Sequence, residues 1–332
     1  LAAASGAQLA LAAVALRPLP VPATASPELQ AIIARGASTT CCIHPSSAAQ
    51  WKEVAHQRAE ETMNGLPALR QKLGVSVERG SIAGVNVYTV TPREVSAHNR
   101  DRLLLNVHSG GYVFNAGEAG TTEAILVAGL GHIKVIEVDY RIPPDFPYPA
   151  ALDDAMAVYR QVMRTHDPHK VAVFGTSTGG GMTLAMMLRA KQERLPLPAA
   201  IGAGSPWSDM TKTGDSYFTN EGVDIVMVRY DGVLGDAAKL YANGHDLKDP
   251  MLSPIYGDLS GFPPTFLTCG TRDLFLSNTV RVHRKLRNAG GVADLVVFEG
   301  MSHAQYLFSP DVPETQQYVA ELTAFFDRYL QK

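Results

Sequence analysis

The sequence predicts an α/β fold, a mostly parallel central sheet flanked by helices. Three observations carry that expectation. From about Gly80 onward, short β-branched runs alternate with stretches of helical period, the order expected of strands joined by crossover helices. The runs in the middle of the chain (RLLLNV, KVAVF, PTFLTC) are nearly all apolar, as strands covered on both faces are. With 332 residues, the chain is long enough for one large domain carrying an insertion, or for two domains.

The elements follow in order. Residues 1–16, LAAASGAQLALAAVAL, are apolar and uncharged, and Ala23-Thr24-Ala25 precedes Ser26. Together they read as an export leader, with the mature protein periplasmic or extracellular and otherwise cytoplasmic. A packed N-terminal helix is the other reading. The run is shorter than the roughly 20 apolar residues a spanning helix needs, so no stable membrane span is expected. Residues 27–79 read as a helical block with ELQAIIARGAS and WKEVAHQRAEETMNGLPALRQKL at helical spacing, without a strand signal. SIAGVNVYTVTP, RLLLNVHS and IKVIEVDYR then read as strands. The helix PAALDDAMAVYRQVM, the strand KVAVFGTS, the helix GGGMTLAMMLRAKQE and the apolar AAIGAGS follow. Between about 208 and 250 the period is lost in a Gly/Asp/Tyr-rich insertion or lid, after which PTFLTCGT, SNTVRVHRKLRNAG, ADLVVFEG and a last helix resume the alternation. Residues 80–332 apart from that insertion are the expected catalytic domain.

Composition narrows the function classes. Lys and Arg total 29 against 32 Asp and Glu, and no basic run is interleaved with aromatics, so nucleic acid is not an expected partner. Cys41, Cys42 and Cys269 form no C-x-x-C pair, and the ten histidines include no H-E-x-x-H. Neither a metal nor a cofactor is expected, and the cysteines read as free thiols.

Three segments at predicted strand ends carry chemistry. KVAVF runs into Gly175-Thr176-Ser177-Thr178-Gly179, a G-x-S-x-G between a strand and an apolar helix. A tight turn there would expose the Ser177 oxygen, and the helix N-terminus favours developing negative charge. A serine hydroxyl needs a base to take its proton and an acid to orient that base, in the chain order Ser, Asp, His for this kind of turn. Asp273 directly follows the run PTFLTCG and is preferred to Asp258 and Asp294; His303 follows VVFEG and is preferred to His56, His166, His169, His245 and His283. The third segment is His108-Ser109-Gly110-Gly111-Tyr112-Val113-Phe114. Small residues there would let the N–H groups of Gly110 and Gly111, with that of Thr178, meet an oxyanion. His108 is read as orienting this loop, and Tyr112 and Phe114 as substrate contacts.

On these residues, from about Gly80 to Lys332, the sequence resembles the hormone-sensitive-lipase-like family of microbial esterases in the α/β-hydrolase superfamily. Asp139-Tyr140-Arg141-Ile142-Pro143-Pro144 and Tyr148-Pro149-Ala150-Ala151-Leu152-Asp153-Asp154 look like two further segments of that family. There are two departures: H-S-G-G stands where H-G-G-G is usual, and the G-T-S-T-G turn resembles the subgroup with Thr before the serine. The resemblance implies an α/β-hydrolase fold in which the N-terminal helical block and the 208–250 insertion form a cap. It also implies a homodimer and the hydrolysis of a small-molecule ester. Short acyl chains are expected, with a lactone or amide hydrolase as the alternative and a non-catalytic small-molecule receptor on the same fold as the remote one.

Overall fold

The computed structural model describes residues 16–38 and 43–331. Most of the expected leader (residues 1–15), together with Cys41 and Cys42, lies outside the described residues.

Helix α1 (Pro27–Ile33) begins where Ser26 caps it, its Oγ accepting from Leu29 N–H while its own N–H and hydroxyl donate to Glu314. Pro27 suits a first turn whose N–H groups lack helical partners. The long α2 (Ala48–Leu73) starts at the Ser47 cap and stops at Gly74, which takes the left-handed conformation at φ 61°. The sheet then forms from β1 (Val75–Ile82), β2 (Val85–Pro92), β3 (Leu103–Val107), β4 (Val135–Val138), β5 (Val171–Thr176), β6 (Ala200–Gly204), β7 (Thr265–Gly270) and β8 (Ala293–Phe298). Its order is β1-β2-β4-β3-β5-β6-β7-β8, antiparallel where β2 meets β1 and β4 and parallel elsewhere.

Successive side chains of β3, β5, β6 and β7 point to opposite faces, and both faces are covered. On one face Leu105, Val173, Ile201 and Leu267 pack with α4 (Ala150–Thr165), α5 (Thr178–Gln192) and α8 (Leu276–Asn288). On the other, Leu104, Phe174, Ala200 and Phe266 meet α3 (Thr122–Gly131) and α9 (Pro313–Tyr329). This double coverage is why those strands lack polar alternation. The parallel strands therefore end together, and the loops that leave those ends carry Ser177, Asp273, His303 and the Gly110-Gly111 segment.

Three expectations change. SIAGVNVYTVTP is not one strand: Ala83 (φ 52°) and Gly84 (φ 82°) make a two-residue turn between β1 and β2. The first strand accordingly starts at Val75, inside the stretch read as helical, because β1 is an edge strand with most of its side chains exposed and little apolar patterning. Helix α3 was not expected at all. Ala124–Gly129 are all buried, so it presents no polar face and its sequence has no helical period to read.

Leu105, fully buried in β3, tests this packing. Leu105→Ala should destabilise the protein by about 2–5 kcal/mol in a chemical denaturation series. A loss well below about 1 kcal/mol would mean that the site collapses around the cavity and that β3 is not at the centre of the core.

Candidate active site

Ser177 sits between β5 and α5 with φ 62° and ψ −120°, a conformation that costs a non-glycine residue about 1–3 kcal/mol and persists only where its surroundings impose it. Here they do. Ser177 N–H donates to Gly204 O at 2.8 Å, and its carbonyl accepts from Gly181 N–H at 3.0 Å and Trp207 N–H at 2.8 Å. Gly175 and Gly179 let the turn press against β3, since a Cβ at either would collide with the Val107 carbonyl oxygen. The hydroxyl is thereby raised at the N-terminus of α5.

His303 Nε2 lies 2.9 Å from Ser177 Oγ, and its Nδ1 lies 3.0 Å from Asp273 Oδ1. All three side chains are buried, Asp273 completely. Asp273 Oδ1 also accepts from Phe275 N–H at 2.7 Å and Oδ2 from Ser205 Oγ at 2.5 Å, so neither oxygen is idle. Burial by itself would lower the His303 pKa. The Asp273 carboxylate, through charge and hydrogen bond, and the Asp224 charge outweigh it, and the net direction is upward. An imidazole held this way can take a proton from the serine and carry the charge.

Beyond β3 the chain makes a compact loop. Val113 and Phe114 N–H both donate to Gly110 O, at 3.0 and 2.8 Å. Gly110 has φ 130°, and a Cβ there would fall 2.5 Å from the Phe114 carbonyl oxygen, so this position admits only glycine. Among the described residues, the backbone N–H groups of Gly110, Gly111 and Thr178 donate to nothing. His108 is scaffold: it stacks on Tyr140 at 3.9 Å, and its Nδ1 pairs with Ser109 O at 2.7 Å. The Tyr140 hydroxyl donates to His108 O, and Arg141 bridges to Asp154. The two further segments thus brace the loop from below.

A cavity of about 240 Å³ opens onto Ser177, His303, Gly110 and Gly111. Two segments outside the sheet also line it. α2 contributes Arg58, whose guanidinium lies over the Phe114 ring at 4.8 Å, and the segment before and within α7 (Val233–Ala242) contributes Met227, Leu234 and Ala237. Phe114 lines the cavity. Tyr112 does not, which corrects its reading as a substrate contact: it is buried at φ 63° and stacks face to face on Tyr241 at 3.8 Å. The sequence showed an aromatic beside a glycine pair; the left-handed turn at Tyr112 sends its ring into the core. Among the described residues no group of three or more His, Cys, Asp or Glu could hold a metal ion.

Sequence reasoning missed the groups behind the turn. Thr176 Oγ1 donates to Glu123 Oε1 at 2.7 Å, and the Tyr318 hydroxyl donates to the same oxygen at 3.1 Å. Burial pushes the Glu123 carboxyl up to about 7, despite those hydrogen bonds. The Tyr306 hydroxyl lies 3.3 Å from Thr176 Oγ1 and donates to Ser205 Oγ at 3.3 Å, which in turn donates to Asp273. Glu123 belongs to the unforeseen α3 and Ser205 follows β6, so neither had a motif to reveal it.

The alpha/beta hydrolase fold family model matches residues 104–307. The chain is similar to a solved esterase, E25, at 44% identity and a TM-score of 0.92, covering 96% of this chain and 99% of that one. It is also similar to a solved esterase of the bacterial hormone-sensitive lipase family, at 28% identity and a TM-score of 0.73, covering 86% and 100%. An acetyl-hydrolase of Streptomyces hygroscopicus is 28% identical over 276 residues, 82% of this chain and 88% of the relative.

Removing the Ser205 hydroxyl leaves Asp273 Oδ2 buried without its donor. Ser205→Ala should therefore lower stability by about 1.5–3 kcal/mol in denaturant titration, the range for a hydrogen bond to a charged group. An unchanged midpoint would show that another donor takes its place.

Proposed function

The chain belongs to the alpha/beta hydrolase fold family, and we propose that it is a serine carboxylesterase hydrolysing small-molecule esters with short acyl chains through an acyl-enzyme. The observation that carries this reading is the unbroken run of hydrogen bonds from Ser177 Oγ to His303 to Asp273 at the floor of a roofed cavity. The esterases and the acetyl-hydrolase similar to this chain support it.

In this mechanism Ser177 Oγ attacks the ester carbonyl as His303 Nε2 takes its proton, and Asp273 holds the imidazolium at Nδ1. The carbonyl oxygen gains negative charge beside the donors of Gly110, Gly111 and Thr178, which have no other described partner and need no rearrangement. His303 then protonates the leaving alcohol. Water repeats the steps on the acyl-enzyme and frees Ser177. The strained backbone at Ser177 and the fixed loop at Gly110 hold the nucleophile and the donors rigid, so little ordering is left for the transition state.

Cavity size points to short acyl groups. About 240 Å³ is small beside the ~300–1,000 Å³ of most ligand clefts. Each CH₂ adds about 0.8 kcal/mol only while there is room to bury it, and overpacking costs about 1–3 kcal/mol. A homodimer and an exported mature form belong to the same proposal and are open to light scattering and N-terminal sequencing from the native host.

Ser177→Ala should abolish hydrolysis of p-nitrophenyl acetate by several orders of magnitude while the protein stays folded. Retention of more than about a tenth of the rate would remove Ser177 from the mechanism. Across p-nitrophenyl esters from acetate to palmitate, kcat/KM should peak at about two to six acyl carbons. A maximum at laurate or beyond contradicts the short-chain reading. The pH profile has a definite sign: the base must be neutral, and the folded site raises its pKa above the ordinary value of about 6.5. Activity should be lost as pH falls, along a limb centred above that value. A limb below it would contradict the field drawn here.

A further inference from the structure

The segment between α6 (Ser216–Thr219) and α7 belongs to the roof of the cavity, yet its hydrogen bonds run to the loops that carry the acid and the base. Asn220 Nδ2 donates to the Asp273 carbonyl at 2.9 Å and to that of Thr271 at 3.2 Å. Ile225 N–H donates to Ser302 Oγ at 3.0 Å. Between these ties lies Asp224, fully buried. Its Oδ2 accepts from the N–H of Leu274, next to Asp273, at 2.9 Å and from the N–H of His303 itself at 3.3 Å. Its Oδ1 accepts from Val226 and Met227 N–H at 2.8 and 3.0 Å, and both of those residues line the cavity.

One carboxylate therefore joins three parts of the site: the acid loop, the base loop and the cavity wall. We propose that Asp224 is a positioning residue for this reaction, a carboxylate from the roof that keeps the Asp273 and His303 loops in register and adds a second negative charge to the field on the imidazole. The proposal rests on the serine-esterase reading above. Four N–H donors offset much of the cost of burying the charge. Burial and the nearby Asp273 charge push the Asp224 carboxyl up to about 6, against the pull of His303 and those donors. When His303 takes the serine proton, it becomes a cation facing two carboxylates. The groups facing its ring are Asp273 from the β7–α8 loop, the Asp224 charge from the roof, the Ser177 hydroxyl and the edge of the Phe275 ring. Asp224 in turn faces Asp273 and His303. The Tyr306 phenol adds no charge at working pH, since burial raises its pKa well above the ordinary value.

The test compares Asp224→Asn, Asp224→Glu and Ser177→Ala with the unmodified protein on p-nitrophenyl butyrate. It measures kcat/KM against pH, with a thermal melt as control for folding. Asp224→Asn removes the charge and sets an NH₂ against the donors of Leu274 and His303. Its kcat should fall about tenfold or more, with a smaller change in KM, and its acidic limb should move down by about half a pH unit or more. Asp224→Glu keeps the charge, so its limb should stay in place even though the longer side chain lowers kcat. A folded Asp224→Asn protein whose limb does not move overturns the charge role, and one whose kcat is also unchanged overturns the positioning role. If Asp224→Asn does not fold, Asp224→Glu decides, and a limb that moves down with the charge retained overturns the proposal. Substantial activity in Ser177→Ala would instead overturn the esterase reading itself.

Discussion

The site depends on a single backbone conformation, the turn at Ser177. A residue with a side chain is held at φ 62° because its N–H and carbonyl are bound to Gly204, Gly181 and Trp207. The strand before it and the helix after it also press together through Gly175 and Gly179 against Val107. That pressure needs the two-sided core, where Leu105 and Val173 meet one layer of helices and Leu104 and Phe174 the other. Strain at one residue is thus stabilised by burial over the whole sheet. The direct products of the conformation are an Oγ turned to the cavity, an N–H at Thr178 without a partner among the described residues, and the positive end of α5 beneath both.

A buried polar network supports the same turn from behind. Tyr306 donates to Ser205 and Ser205 to Asp273, while Thr176, 3.3 Å from the Tyr306 hydroxyl, donates to Glu123, so five side chains of the β6, β5, α3 and pre-α9 segments stand in one polar cluster. Thr176 stands in the G-T-S-T-G motif where the resembled family often has an acid, and here it reaches an acid supplied by another element. Glu123, pushed up to about 7 by burial, accepts from both Thr176 and Tyr318. The Asp273 end of the cluster is held on both carboxylate oxygens, while at the other end Glu123 Oε2 is buried without a hydrogen-bond partner among the described residues.

The parts legible in the sequence share a physical reason. Strands covered on both faces leave apolar runs, and the tight turns at their ends leave glycine, so the central sheet, the G-x-S-x-G turn and the loop at Gly110 were all readable. Asp273 was proposed because it comes just after the buried β7, and His303 because it follows β8, an apolar but partly exposed edge strand. The hairpin at Ala83-Gly84 was hidden by its weak turn signal, β1 by its exposure, and α3 by burial on every side. Tyr112 was misread because the direction of its side chain is set by a positive φ that composition does not reveal. Asp224 lies in a segment without periodicity, and its importance comes from backbone N–H groups of distant loops, which no local pattern encodes.

The roof and the floor of the cavity are joined at two places: α2 and α7 pack on Phe114, and the segment around Asp224 is bonded to the Asp273 and His303 loops. The central claim is that chemistry passes through a covalent bond at Ser177 Oγ. Rapid acid quenching during turnover of p-nitrophenyl acetate, followed by mass spectrometry of the digested protein, tests it most directly. The account predicts an acetyl group on the peptide containing Ser177. Hydrolysis without any acyl adduct, or with the adduct on another residue, would contradict it.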